Sequence, residues 1–223
     1  IVPERPTRDL VAAAVEKLLD DWLGDFPFAD EAARAHVLAL LITLIVRDLV
    51  PGPVPLFVVD APQPGTGKSL LVSAIALAAT GRPPAAMTEG RDDDEWRKRI
   101  TAALLPSPAL VLLDNIRARL DSGAFSALLT STTWEDRVLG QTRIIALPAT
   151  AVWVVTGNNV LLSNEIARRS VVARLDAQCE QPWRREGFRH PELLAWTREH
   201  RHILLAAALT LCRAWVAEGR PRG

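Results

Sequence analysis

The chain has 223 residues, enough for one large α/β domain with a small helical attachment. Hydrophobic residues make up 49% and charged residues 23%, which excludes a disordered chain. Formal net charge is +0, so a surface that is basic all over is excluded, and any nucleic-acid contact falls to a local patch or a ring of loops.

Thr7 to Leu23 reads as a helix with Thr7 as its N-cap and Leu10, Val11, Val15, Leu18, Leu19 and Trp22 as its apolar positions. Gly24 and Pro27 break it, and Asp30-Glu31 open a second helix that runs to about Leu49 and ends at Pro51-Gly52-Pro53. Its apolar run, Val37 to Val46, is too short to span a bilayer and is flanked by Arg34, His36 and Arg47. These two helices are expected to form a lid or packing layer without chemistry of their own.

Pro55 to Asp60 is short, β-branched and bounded by prolines, which reads as a buried strand. Leu70 to Ala79 is rich in helix formers and stops at Gly81 and Pro83-Pro84. Between them stands Pro64-Gly65-Thr66-Gly67-Lys68-Ser69. A strand, a glycine turn and a helix opening on Lys-Ser form a phosphate-binding loop. Gly65 and Gly67 let backbone N–H groups face an anion, and the helix N-terminus adds partial positive charge. Lys68 would reach the β- and γ-phosphates of a nucleotide, and the Ser69 hydroxyl would ligate Mg²⁺. The full pattern G-x-x-x-x-G-K-[ST] wants glycine at position 62, where this chain has Pro62. The expected nucleotide contacts run from Pro64 through Leu70.

Thr88 to Gly90 reads as a turn. The run Arg91-Asp92-Asp93-Asp94-Glu95-Trp96-Arg97-Lys98-Arg99 places acids before bases, which suits a helix aligned with its macrodipole. That run is either a solvated helix face or a contact surface for a neighbouring subunit or nucleotide. Ala109 to Asn115 is an apolar strand ending on Asp114, 46 residues after Lys68. An acid at the carboxyl end of such a strand lies beside the metal held by the phosphate loop, so Asp114 is the expected metal ligand with Ser69.

Ser122 to Thr130 reads as a short helix. Trp134 to Pro148, with Gly140 between two partly alternating runs, reads as a hairpin or extended loop carrying Arg137 and Arg143. Ala151 to Asn159 is another buried strand, and Asn158 would orient the attacking water beside Asp114. Asn164 to Arg169 is helix-like and Ser170 to Asp176 a last strand. Pro191 to Glu218 is mostly helical, with Trp196, Ile203, Leu204, Leu205, Leu209, Leu211 and Trp215 as an apolar stripe read as core. Cys179 and Cys212 match neither a zinc spacing nor a disulfide framework and read as buried thiols in a reducing compartment. With no signal peptide in view, the expected location is the cytoplasm and no membrane partner is implied. The chain opens on Ile1 rather than Met and stops at Gly-Arg-Pro-Arg-Gly, which reads as a fragment of a longer protein.

Pro-Gly-Thr-Gly-Lys-Ser, Leu-Val-Leu-Leu-Asp-Asn, Val-Val-Thr-Gly-Asn and Ala-Arg-Arg-Ser stand in that order. Together, over about residues 55 to 176, they resemble an AAA+ ATPase, and specifically the superfamily 3-like helicase module of phage and plasmid primase-helicase proteins. The resemblance implies an α/β P-loop NTPase core with a parallel sheet flanked by helices. The expected divisions are an N-terminal helical segment (1–52), the ATPase core (53–178) and a C-terminal helical segment (179–223).

It also implies a hexameric ring of identical subunits that hydrolyses ATP with Mg²⁺ between subunits while moving along single-stranded DNA. A primase domain in the same full-length chain is a further implied partner. By resemblance, Lys68 and Ser69 bind phosphate and metal, Asp114 supports the metal, and Asn158 is the sensor of the γ-phosphate. Arg168 or Arg169 is the arginine finger for a neighbour's nucleotide, and the hairpin with Arg137 and Arg143 faces the channel. Asn115 stands where such proteins usually carry a water-polarising glutamate. Asparagine holds water but accepts no proton, so another acid such as Glu89, Asp92 or Asp93 serves as base, or hydrolysis is slow. Two other readings follow: a nucleotide-dependent assembly or binding module that hydrolyses little, and an initiator or loader acting on another helicase.

Overall fold

In the computed structural model, which describes residues 2–137 and 143–220, the apolar runs become strands of a five-stranded sheet. They are β1 (Leu56–Ala61), β2 (Ala85–Met87), β3 (Leu110–Ile116), β6 (Val152–Asn158) and β7 (Ser170–Arg174), in the spatial order β2-β3-β6-β1-β7. Every pairing in this sheet is parallel, so the carboxyl ends of all five strands lie along one rim. The inner strands read as unbroken apolar runs because both faces are covered. Alternate residues sort to opposite sides: Phe57, Val59, Leu110, Leu112, Val152 and Val154 into one core, and Leu56, Val58, Val111, Leu113, Trp153 and Val155 into the other.

The first core lies under α2 (Glu31–Val46), α3 (Lys68–Thr80), α7 (Leu193–Glu199) and α8 (Arg201–Ala217). The second lies under α4 (Asp93–Leu104) and α5 (Gly123–Leu128). Local capping explains where these helices begin. Asp30 accepts the Ala33 N–H at 2.7 Å, Asp92 the Glu95 N–H at 2.8 Å, and Ser122 the Phe125 N–H at 3.1 Å. α3 ends at Gly81, whose left-handed backbone (φ 76°) returns its N–H to Leu77.

Four local expectations change. The first helix, α1 (Arg8–Val15), is capped by Thr7 as expected but continues from Glu16 to Trp22 as a wider π-helix. Leu18, Leu19 and Trp22 are buried there, and the Trp22 indole donates to Thr197 Oγ1 at 2.9 Å. β2 was not anticipated. Thr88 to Gly90, expected as a turn, follow it as an irregular stretch. Of the C-terminal stripe, Leu204 is buried whereas Ile203, Leu209 and Trp215 are exposed, because α8 packs through one side only. Cys179 is exposed rather than buried, and Cys212 is half-buried, which raises its thiol pKa by desolvation.

β4 (Thr133–Arg137) and β5 (Ile144–Pro148) pair antiparallel as a separate two-stranded hairpin, as read from the sequence. Gly140, expected at its tip, lies outside the described residues. α6 (Asn164–Ala167) is the short helix before β7. Among the described residues, no helix is long and apolar enough to cross a membrane.

Candidate nucleotide site

Three neighbouring strands deliver the site. β1 leads into the loop that enters α3, and Gly65 (φ 78°) and Gly67 (φ 90°) supply the left-handed backbone that this turn requires. Gly67 is the residue from which α3 starts, so Lys68 and Ser69 open a 13-residue helix. Lys68 is 8% exposed. Its Nζ donates to Asn158 Oδ1 at 2.7 Å, to the Gln63 carbonyl at 3.3 Å and to Thr66 Oγ1 at 3.4 Å. Burial pushes the Lys68 pKa below that of a free lysine, while the charges of Asp60 and Asp114 pull it back.

Ser69 Oγ donates to Asp114 Oδ1 at 2.6 Å. Asp114 is turned toward that hydroxyl by a bulge, since the register of β3 on β6 breaks between Leu113 and Ile116. Within the bulge Asn115 takes a left-handed backbone (φ 56°), a conformation that asparagine tolerates better than glutamate. Its N–H donates to Thr156 Oγ1 at 2.8 Å, and the Thr156 hydroxyl donates to Asp114 Oδ1 at 2.6 Å. Thr156 is fully buried, so one hydroxyl holds both the bend and the carboxylate. The Asn115 residue itself is exposed at the rim.

Lys68, Ser69, Asp114 and Asn158 thus come together as expected. Leu70 instead lines a cavity of about 210 Å³ beside the loop, with Trp22, Phe26, Gly65, Gly67, Trp183, Phe188 and Leu193. The segment around Trp183 lies directly on the loop: a Cβ on Gly65 would meet the Trp183 Cβ at 3.0 Å, and one on Gly67 would meet the Phe26 ring at 3.0 Å. Asp25 anchors this segment, accepting the Arg189 N–H at 2.6 Å through its carboxylate and Arg185 at 2.8 Å through its carbonyl. Pro64 stands in the turn that leads into Gly65.

Arg168 and Arg169 are not part of this constellation. They precede β7, and the Arg169 carbonyl accepts the N–H of Leu56 at the start of β1, so they sit at the opposite rim of the sheet. Both pair with Glu165, at 2.6 Å and 3.0 Å. Asp92 caps α4, and Asp93 accepts the Ser122 hydroxyl at 2.6 Å, so both carboxylates are engaged structurally. Glu89 lines a separate cleft with Arg91, Arg119 and Asp121. Arg137, the last residue of β4, and Arg143, which precedes β5, are both exposed, with Arg137 opposite Ile144.

Sequence reasoning missed Asp60, Thr156 as a hydroxyl bridge, Arg174 and the aromatic cavity. The signal for Asp60 was present: an acid inside an otherwise apolar buried strand needs a partner.

No family model and no curated protein matches the chain. Among solved structures, the apo C-terminal region of NrS-1 is similar over 100% of this chain and 53% of that one, with 14% identity and a TM-score of 0.55. The fold is that of a P-loop NTPase. The fold class implied by the sequence resemblance is met. A second NrS-1 C-terminal structure gives a TM-score of 0.49 at 14% identity, covering 93% of this chain and 44% of that one. The JC virus (JCV) helicase gives 0.42 at 15% identity, covering 93% of this chain and 61% of that one. The chain spans about half the length of the NrS-1 region it matches.

Proposed function

We propose that the chain is the ATP-hydrolysing module of a ring-forming replicative DNA helicase of the phage or plasmid primase-helicase type. The observation that carries this reading is the convergence of Lys68, Ser69, Asp114 and Asn158 at the carboxyl ends of β1, β3 and β6. Asp114 and Ser69 offer two hard oxygen donors, which fits Mg²⁺ completed by phosphate oxygens and water. Bound there, the ion would neutralise charge developing on the phosphates. Lys68 leaves Asn158 for the phosphates, and the freed Asn158 amide orients the attacking water. Thr156 keeps Asp114 aimed while its Ser69 contact is exchanged. The loop N–H groups of Gly65 to Lys68 hold the phosphates, and the aromatic cavity shelters the base.

Arg168 or Arg169, on the opposite rim from their own loop, acts on a neighbour's nucleotide, which makes the ring the active species. Pro64 to Leu70 bind nucleotide, Arg137 and Arg143 bind single-stranded DNA in the channel, and a primase domain belongs to the same full-length protein. The test is ATP hydrolysis with and without single-stranded DNA on both sides of the assembly concentration, with Lys68→Ala as control. Turnover that rises with DNA and assembly supports the motor; a monomer as fast as the ring overturns it.

Exposed Asn115 favours a second reading, an assembly module that binds ATP and hydrolyses little, because no acid occupies its place. Tight binding without turnover in the assembled state would select that reading.

A further inference from the structure

Asp60 is a buried acid that the hydrolytic machinery above does not use. It is 5% exposed and stands at the end of β1, two residues before Pro62. Its Oδ1 accepts the Val160 N–H at 3.0 Å, and its Oδ2 accepts Nη1 of Arg174, the residue opposite it on β7. The second arm of the same guanidinium, Nη2, donates to Asn159 Oδ1 at 3.1 Å. Asn159 then donates its Nδ2 to the Pro62 carbonyl at 3.4 Å and its backbone N–H to the Ala61 carbonyl at 2.9 Å. Asn159 also holds a left-handed backbone (φ 52°), which needs support from its surroundings.

These contacts form a closed circuit. The turn that follows Asn158 is gripped from both sides, at Asn159 by Arg174 and at Val160 by Asp60. Asn158 in turn holds Lys68. The same circuit pins the carbonyl of Pro62, at the loop position where glycine is missing from the usual pattern. A carboxylate buried this close to a phosphate loop would repel a triphosphate unless a cation neutralised it, and water is excluded from that role by burial.

We propose that Asp60 and Arg174 form a charge-balanced positioning pair for nucleotide binding. They fix the Asn159–Val160 turn and, through it, the place of Asn158 beside the loop, while Arg174 cancels a carboxylate that would oppose the phosphates. This rests on the nucleotide-binding reading of the loop.

The test measures affinity for Mg-ATP and Mg-ADP in wild type, Arg174→Ala, Asp60→Asn and the double variant, with thermal unfolding to confirm that each is folded. Arg174→Ala is expected to bind ATP about tenfold more weakly, with a smaller loss for ADP, because an uncompensated buried charge acts on the more highly charged ligand more strongly. Removing the carboxylate as well should restore affinity to within about threefold of wild type, the coupling that defines a pair. Unchanged affinity in Arg174→Ala overturns the proposal. So does a double variant as weak as Arg174→Ala, since Arg174 would then act on the nucleotide directly or only on folding. If Arg174→Ala does not fold, Asp60→Asn decides: affinity at or above wild type supports the charge balance, and a loss overturns it. A wild type that binds no nucleotide removes both this pair and the reading beneath it. Wild-type binding with an indifferent Arg174→Ala removes the pair alone.

Discussion

Ser69 and Asp114 are 45 residues apart in the chain and joined by a 2.6 Å hydrogen bond. That bond exists because the β3 bulge turns Asp114 off the strand axis and the Thr156 hydroxyl keeps it there. Replacing Asp114 with asparagine keeps the shape and removes the charge. Phosphate release is expected to fall by at least about 100-fold, the scale of losing one electrostatic stabiliser of a transition state. Nucleotide affinity without Mg²⁺ should stay within a few-fold. Steady-state hydrolysis and equilibrium binding measured on the same samples check both halves.

Asn115 answers to its backbone first. Asn115→Gly should leave stability in urea nearly unchanged, whereas Asn115→Ala should cost about 1 kcal/mol, because alanine lacks the short polar side chain whose local hydrogen bonding lets asparagine tolerate the left-handed region. Asn115→Glu carries the same backbone penalty. It is therefore expected not to raise the hydrolysis rate, despite restoring an acid at that position. A Glu variant that is both stable and faster would show that the bend adapts.

The lowered pKa of Lys68 has a signed consequence. Between its native value and the 10.5 of an unperturbed lysine, the unfolded chain binds more protons than the folded one, so the unliganded protein gains stability as pH rises through that window. Desolvation is the larger cause, and Lys68→Met should remove this pH dependence while abolishing nucleotide binding. Melting curves across alkaline pH for both proteins test this, and a flat difference between them would contradict it.

Trp183 is 59% exposed and lies against Gly65, where on the proposed nucleotide-binding reading it would contact the base. Trp183→Ala should weaken ATP binding about tenfold, the upper range of an aromatic contact, and leave inorganic tripolyphosphate binding unaltered. Equal losses for both ligands would place Trp183 on the loop rather than on the base.

At the hairpin, Arg143→Ala should weaken single-stranded DNA binding and lower its salt slope by about 0.7, the value for one phosphate contact on a single strand. ATP affinity should not change. An unaltered DNA affinity would remove Arg143 from the channel.

What could be read from the sequence follows from the range of the forces involved. β1, β3 and β6 are legible because a strand covered on both faces must be apolar throughout. Lys68, Ser69, Asp114 and Asn158 are legible because each is fixed by a short local pattern or by the end of such a strand. β2 escaped because Ala85-Ala86-Met87 is a three-residue edge strand without a β-branched side chain. Asp60 carried a signal of its own, but its partner escaped because only the parallel register of β1 on β7 brings Arg174 beside it. The cavity escaped for a similar reason, since Phe26 and Trp183 meet only once the N- and C-terminal segments have both packed against the loop. Ile203, Leu209 and Trp215 were read as core because periodicity reports an apolar stripe but not what covers it.

The packing of α1 on α8, with the Trp22 indole bonded to Thr197, ties the two flanking helical segments to each other on one side of the sheet. Tension applied through these two segments would therefore strain the α1–α8 seam before it stretched any strand. Phe26 and Trp183, which touch the phosphate loop, belong to the segments adjoining that seam. A pull too weak to unravel the sheet would therefore reach the Phe26 and Trp183 contacts on Gly67 and Gly65 before it reached β1.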